Sequence, residues 1–215
     1  MQIIKRDKGD ISFEPHKFIL GSKFIDKSIS KDNLLDFKRI MDINNISFTL
    51  AYGTLLGAIR EDDFITHDED IDVAILDEDR DNFLNSLDTF IENDFIIGRY
   101  ANDILSLIRN GEYIDIYIFR KKLFGYREFG NEQLKEKYLI DTMDYSFMDS
   151  KFKIPRESEK YLIEHYGKNW RVPIKDAHAC NPNTYLIIKK FLKKNTRPIF
   201  NIISFLKKRV YVKNK

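Results

Sequence analysis

The 215-residue sequence predicts a mixed α+β domain, with a central mixed β-sheet flanked by helices and a helical C-terminal tail. Three observations carry that expectation. Segments with helical spacing of apolar residues are interspersed with short strand-like runs. Hydrophobic residues make up 43% and charged residues 33%, proportions of a globular chain and not of a disordered one. The length suits one domain with a small appendage.

Residues 1–30 read as an N-terminal extension, 31–176 as the main domain and 177–215 as a basic amphipathic tail. The stretch from Met1 to Phe13 is interrupted by Lys5, Arg6, Asp7, Lys8 and Asp10, so it lacks the apolar core of a secretory signal. Leu34, Leu35, Phe37, Ile40, Met41 and Ile43 recur at helical spacing over 32–43, after an Asp or Ser start signal. Residues 46–51 predict a strand. Gly53 ends it, and 54–60 predict a short helix that opens at a glycine turn. Residues 70–76 alternate polar and apolar, the period of a strand.

Phe83, Leu84, Leu87, Phe90 and Ile91 predict one helix over 80–92. Strand-like runs follow near 94–100, 103–109 and 113–119. Residues 120–155 are left without assigned elements and are the expected place for acceptor recognition. Residues 156–166 predict a helix ended by Gly167. No window approaches 18 consecutive apolar residues, so hydropathy predicts no spanning helix. The single cysteine, Cys180, excludes an internal disulfide. His165, His178 and Cys180 lack the spacing of a zinc site or of a nucleophile with its base, and read as structural. Tyr161, Tyr166 and Trp170 read as core. Neither GxxxxGK[ST] nor GxGxxG occurs, so P-loop and dinucleotide-binding readings have no support.

The overall charge of +2 hides an asymmetry. After Asp176 there are ten basic residues and no acidic one, which leaves 26 basic against 34 acidic residues before it. Such a tail implies a polyanionic partner. Apolar residues are interleaved with the lysines, from Ile187 to Leu206. Residues 186–215 therefore fit peripheral contact with an anionic membrane as well as they fit a helix pair packed on the domain. The expected location is cytoplasmic, at the inner face of a membrane if the tail binds there. The acidic body argues against a nucleic-acid partner.

The chemistry is concentrated between Gly53 and Asp115. With 70–76 as a strand, Ile71, Val73 and Ile75 enter the core. Asp68, Asp70 and Asp72 then share the opposite face, with about 6.6 Å between alternate Cα atoms. Carboxylates at that spacing repel each other and call for a cation. Oxygen donors suit Mg²⁺ or Mn²⁺ and not Zn²⁺. Asp115, inside the apolar run from Tyr113 to Phe119, is a third acid, and two adjacent strands would bring it to Asp70 and Asp72. Upstream, Gly53 and Thr54 open a helix whose amino terminus offers N–H groups to a phosphate. Gly-Thr, D-x-D and a third Asp together make the layout of a nucleotidyltransferase-like fold, in which metal ions clamp phosphates for in-line displacement.

Tyr52-Gly53-Thr54-Leu55-Leu56-Gly57-Ala58-Ile59-Arg60, followed by Phe64-Ile65-Thr66-His67-Asp68-Glu69-Asp70-Ile71-Asp72-Val73, resembles the LicD/fukutin family. That family's pattern is approximately YGTLLGxxR, a short gap, then FIPxDDDID. Asp115 in Tyr-Ile-Asp-Ile-Tyr resembles the family's third acid. Tyr161-Leu162, Tyr166-Gly167, Trp170 and Pro173 are similar to its closing segment. The resemblance covers roughly 30–175. Thr66 stands where proline is common, and Glu69 where aspartate is common.

The resemblance implies a phosphotransferase. Its donor would be a CDP-activated alcohol of the choline, ribitol or glycerol type, and its acceptor a sugar hydroxyl of a glycan or lipid-linked oligosaccharide, with CMP leaving. Asp70, Asp72 and Asp115 would be catalytic and would hold Mg²⁺ or Mn²⁺, with Asp115 either a ligand or a base. Gly53, Thr54 and Arg60 would meet the nucleotide phosphates, with Arg60 alternatively pairing to Glu61 or Asp63. His67 and Asp68 would support the ligands from outside. Two other readings use the same residues. A true nucleotidyltransferase would move a nucleoside monophosphate from an NTP and release pyrophosphate. A membrane-bound adaptor would keep the fold without the chemistry.

Overall fold

The computed structural model describes residues 1–18, 23–101 and 103–173. The tail expected over 177–215, with its membrane segment 186–215, lies outside the described residues, as do His178 and Cys180. Eleven strands and six α-helices follow in chain order among the described residues. They are β1 (Gln2–Ile4), β2 (Ile11–Phe13), α1 (Lys27–Ile43), β3 (Thr49–Leu50), α2 (Tyr52–Glu61), β4 (Ile71–Leu76), α3 (Arg80–Asn85), α4 (Leu87–Glu92) and β5 (Ile96–Ala101). They continue with β6 (Ile104–Arg109), β7 (Glu112–Lys121), β8 (Tyr126–Phe129), β9 (Glu132–Lys135), α5 (Lys137–Ile140), β10 (Thr142–Phe147), β11 (Ser150–Pro155) and α6 (Ser158–Tyr166). The expected mixed α+β class is the observed one.

The main sheet runs β10-β11-β3-β4-β7-β6-β5, and the β8–β9 hairpin extends from the end of β7. It is mixed: β4 pairs parallel with β7 and β11 parallel with β3, while β3–β4 and β6–β7 are antiparallel. β1 and β2 form a separate hairpin whose Ile4 and Phe13 join the main core.

Alternation sorts the two faces of the central strands. Ile71, Val73 and Ile75 of β4 and Ile114, Ile116 and Ile118 of β7 are almost fully buried under α1, whose Leu34, Phe37, Ile40 and Met41 are inaccessible. Each such side chain contributes roughly 1.5–3 kcal/mol of burial. The other face carries Asp72, Ala74 and Leu76 opposite Asp115, Tyr117 and Phe119, in parallel register. Polar groups occupy one end of that face, and a small apolar cluster of Ala51, Ala74, Phe119, Phe129 and Leu139 fills the other. The polar end is where the site forms.

Several elements differ from the sequence expectation. α1 starts at Lys27, because Asp26 accepts from the N–H groups of Ser28 and Ile29 at 3.0 and 3.1 Å and caps the helix. The strand expected over 46–51 narrows to Thr49–Leu50. The single helix expected over 80–92 is two, broken at Ser86, whose hydroxyl donates to Phe83 O at 2.7 Å in competition with the helical ladder. Residues 120–155, unassigned from sequence, form two hairpins, β8–β9 and β10–β11. α6 ends at Gly167 as expected, with φ 90°.

Candidate active site

The start of α2 and the start of β4 are tied to each other by Asp72. Ala51, which precedes α2, offers no capping side chain. The first-turn N–H groups of a helix need acceptors and favour a negative charge. Asp72 supplies it from the neighbouring strand: its Oδ2 accepts from Gly53 N at 2.8 Å. In return Thr54 Oγ1 accepts from Asp72 N at 2.8 Å, and Asp72 O accepts from Ala51 N at 3.1 Å. Thr54 is buried, so its hydroxyl fixes the acid strand and does not face the pocket. Gly53 N and Thr54 Oγ1 both engage Asp72, and of the two Gly53 lines the cavity.

Gly53 has a reason to be glycine other than a turn. A Cβ there would stand 2.2 Å from Asp68 Oδ2 and 3.2 Å from Asp72 Oδ2. Its missing side chain is the space that the carboxylates occupy. The residue before it, Tyr52, has φ 39°, a strained value for a bulky residue. Helix α2 therefore begins at Tyr52 and not at Thr54, and the strain sits at the edge of the acid cluster.

Asp68, Asp70 and Asp72 converge, with one carboxylate oxygen from each within 4.8 Å of the others. Burial raises the pKa of all three, and the neighbouring acids raise it further. For Asp70 burial is the main cause, and the acids Asp72, Asp115, Asp68 and Glu69 push in the same direction. A cluster of hard oxygen donors with this much unbalanced charge fits a divalent cation of the Mg²⁺ or Mn²⁺ class. Asp68, expected to support the ligands from outside, stands within the cluster itself. His67 lies beside it on the pocket wall, where it favours the ionised form of Asp68.

Asp115 sits next to the cluster, in register with Asp72 across β4 and β7. Its two oxygens are engaged from the other side. Oδ1 accepts from Ser106 Oγ and Oδ2 from Arg99 Nη2, each at 2.5 Å. Asp68 joins Asp70 and Asp72 in the convergent three, and Asp115 adjoins them through a side-chain hydrogen bond with Asp70 and influences the charge state of both Asp70 and Asp72. Arg99 and Ser106 were not foreseen. Their signal is weak in sequence, because each pairs with Asp115 only through strand register on β5 and β6.

Tyr117 was also unforeseen. It lies two residues beyond Asp115 on the same face of β7, and its hydroxyl donates to Asp72 Oδ1 at 2.9 Å. With Gly53 N on Oδ2, both oxygens of Asp72 are held, which fixes the carboxylate plane.

The cluster opens into a cavity of about 450 Å³. Its acidic wall is His67 to Asp70 with Asp72, and Arg60 stands on the same cavity. Arg60 is largely buried and donates to Glu61 Oε1 at 2.5 and 3.0 Å and to Trp170 O at 3.3 Å. The expected pairing to Glu61 is present; Asp63 pairs with Lys27 instead. The far wall is aromatic: Tyr52, Tyr117, Phe129, His165, Tyr166 and Trp170. His165 stacks on Tyr161 with an interplanar angle of 4° and meets Tyr52 and Tyr166 at 4.9 and 4.6 Å. Its burial among rings pushes its pKa down to about 4, so it is neutral near pH 7. Trp170 and Tyr161 do join the core as expected, but Trp170, Tyr166 and His165 also face the cavity. From the 120–155 segment, Phe129 and Glu132 reach the same cavity.

The family described as LicD/FKTN/FKRP, nucleotidyltransferase domain, matches residues 45–157. An uncharacterized protein, RT0683 of Rickettsia typhi, is 29% identical over 127 residues, 56% of this chain and 40% of that one. Ribitol-5-phosphate transferase FKTN of Homo sapiens is 28% identical over 141 residues, 60% of this chain and 30% of that protein. The Mus musculus FKTN is 28% identical over 159 residues, 68% of this chain and 34% of that protein. The chain thus spans between 30% and 40% of the length of these relatives. Among solved structures, the antibiotic-resistance factor ANT(2'')-Ia is similar over 87% of this chain and 96% of that one, at 9% identity and a TM-score of 0.48. The lincosamide adenylyltransferase LnuA is similar over 61% of this chain and 83% of that one, at 13% identity and a TM-score of 0.44.

Proposed function

The chain belongs to the LicD/FKTN/FKRP nucleotidyltransferase-domain family, and from that premise we propose that it is a phosphotransferase moving a phosphoalcohol group onto a sugar hydroxyl of a glycan or lipid-linked acceptor. The donor is a CDP-activated alcohol of the ribitol, glycerol or choline type, and CMP is the leaving product. The single observation that carries the reading is the convergence of Asp68, Asp70 and Asp72 at the mouth of a cavity with an aromatic far wall. The FKTN relatives, named as ribitol-5-phosphate transferases, support the phosphoalcohol class.

Asp68, Asp70 and Asp72 would hold Mg²⁺ or Mn²⁺. Such an ion supplies charge neutralisation at the diphosphate and at the leaving phosphate. The chain's own residues do the rest. Gly53 N and Tyr117 Oη orient Asp72. Arg60 lends positive charge on the cavity wall, where a phosphate oxygen can replace part of its contact to Glu61. Asp115, next to Asp70, is the candidate base for the acceptor hydroxyl, since burial raises its pKa and Arg99 holds it in place. The aromatic rings exclude water from the transfer, which limits hydrolysis of the donor. We place the enzyme in the cytoplasm, at the inner face of a membrane through residues 186–215; no described helix is long and apolar enough to cross a membrane.

Thermal stabilisation by CDP-ribitol, CDP-glycerol, CDP-choline, CTP and ATP, each with and without Mn²⁺, tests this proposal. A ligand at 100 times its Kd adds about 2.7 kcal/mol, a clear shift in Tm. A metal-dependent shift with one CDP-alcohol, together with release of CMP on adding an acceptor, is the expected result. Shifts with nucleoside triphosphates alone, and release of pyrophosphate, would instead assign a nucleotidyltransferase.

A further inference from the structure

A second surface, outside the cavity, has a composition that the proposed reaction does not use. Between β7 and β8 the chain turns through Leu123, Phe124 and Gly125. Leu123 is 78% exposed and Phe124 91% exposed, more than any other large apolar residues described apart from Met1. Phe124 has φ 61° and ψ 31°, the left-handed region that a bulky side chain adopts only at a cost. The turn thus holds an aromatic ring fully in water by means of a strained backbone. Gly125 follows with φ 72°, and a Cβ there would meet nothing, so the apex stands clear of the rest of the fold.

The flanks of the apex are basic. Residues 119–127 contain Arg120, Lys121, Lys122 and Arg127 and no acidic residue. Arg127 is spent inside, on Glu78 and Glu136. Arg120 and Lys122 lean back on Asp103 and Glu128, with side chains 43% and 41% exposed. Lys121 is the freest, 67% exposed and 3.8 Å from Glu136. Two apolar side chains at an apex, flanked on the β7 side by Lys121 and Lys122 with side chains 67% and 41% exposed, match the boundary of an anionic bilayer: rings and aliphatic chains enter the interface while lysines exchange their carboxylate partners for headgroups.

The size of the patch chooses between occupants. Leu123 and Phe124 together offer far less than the roughly 800 Å² per partner that a stable protein interface needs. A wedge into lipid has no such minimum. We propose that the Leu123–Phe124 apex inserts into the interface of an anionic membrane, with Lys121 and Lys122 on its phosphates. This is separate from the tail at 186–215, since it is built on the folded domain. β8 joins the apex to the site: it runs from Tyr126 to Phe129, about 10 Å, and Phe129 lines the cavity. Insertion therefore sets the distance and tilt of the cavity against a lipid-linked acceptor. That use rests on the proposed function; the insertion itself does not.

The test is a Phe124→Trp variant of the full chain, titrated with vesicles of phosphatidylglycerol and phosphatidylcholine. Its emission, after subtraction of the wild-type signal from Trp170, is expected to shift to the blue on binding. The Leu123→Ser/Phe124→Ser double variant should keep the wild-type Tm, because both residues are exposed, and partition about tenfold or more weakly. Failure of the chain to bind the vesicles overturns the proposal. So does binding with no blue shift, or binding unchanged in the double variant, which would assign all membrane contact elsewhere. Self-association of the wild type that the double variant abolishes would also overturn it, in favour of a protein partner. None of these readouts depends on donor turnover, so the insertion and the enzymatic reading fail separately.

Discussion

The two walls of the cavity are built in opposite ways. The acidic wall comes from one stretch of chain, His67 to Asp72, locked to the start of α2 by hydrogen bonds of Gly53 N to the Asp72 carboxylate and of Asp72 N to the Thr54 hydroxyl. The aromatic wall is gathered from α2, β7, the β8–β9 hairpin and α6, with Tyr52, Tyr117, Phe129 and His165 meeting ring to ring at 4.8–6.1 Å. One wall concentrates charge that the fold leaves unbalanced. The other is built mostly of rings, packed closely enough that its histidine is kept neutral. In the proposed reaction this becomes a division of labour: the first wall would hold ion and phosphate, while the second would shape and dry the space beside them.

Asp70→Asn breaks the acidic wall most directly. It is expected to lower turnover by roughly three orders of magnitude and to abolish stabilisation by Mn²⁺. Without metal the same variant should melt higher than the wild type, because a buried charge beside other acids has been removed. The sign of the pH dependence follows from the raised pKa values. A carboxyl raised on folding contributes stability below its unfolded pKa and loses it as pH rises through the folded one. Protons and metal compete for the same oxygens, so the Mn²⁺-induced rise in Tm must grow with pH through the weakly acidic range. A metal shift that ignores pH, or an Asp70→Asn variant still stabilised by Mn²⁺, would remove the metal site.

Gly53→Ala attacks the junction of the two walls. Its Cβ collides with Asp68 Oδ2, and the nearby Asp72 Oδ2 prevents easy relief. Destabilisation of about 1–3 kcal/mol is expected, by chemical denaturation, with weaker Mn²⁺ binding. Tyr117→Phe is milder. It keeps the ring packing on Tyr52 and Phe129 and deletes only the hydroxyl on Asp72. Mn²⁺ affinity, followed by electron paramagnetic resonance, should fall about 10–100-fold, the usual cost of losing a partner that orients a ligand. A loss of stability with no change in affinity would make Tyr117 a packing residue only.

The same contrast explains what was legible in sequence. Asp68, Asp70 and Asp72 alternate within five residues, which made the cluster legible from spacing, although only Asp72 lies on β4 and the other two converge on it from the segment that precedes the strand. Asp115 was found by the same alternation, and the pairing of β4 with β7 brings it level with Asp72. What alternation cannot supply is the partner across the strand, so Arg99, Ser106 and Tyr117 were missed. Tyr166 and Trp170 read as core and His165 as structural; that all three also meet a cavity depends on long-range packing. The glycine signal at 53 reads as a turn, whereas its cause is the Asp68 carboxylate, on the connection from α2 to β4. Residues 120–155 stay without assigned elements because their hairpins are short and half-exposed, with charged residues such as Lys135 and Lys153 on strands.

The smallest expected effect probes the aromatic wall alone. His165 has an ordinary value of 6.5, lowered to about 4 by burial. A base whose pKa falls on folding contributes stability above its unfolded pKa, and loses it as pH drops through the folded one. Between pH 6.5 and 4 His165 therefore destabilises the fold progressively, while the acid cluster, with its raised pKa values, acts in the opposite direction over the same range. His165→Phe removes the first contribution and keeps a ring against Tyr161 and Tyr52. The stability of wild type minus variant, measured by urea unfolding without metal, should be level above pH 6.5 and fall by roughly 1–3 kcal/mol on going to pH 4. A level difference across that range would mean that His165 is solvated, and that the far wall does not exclude water in the way its rings suggest.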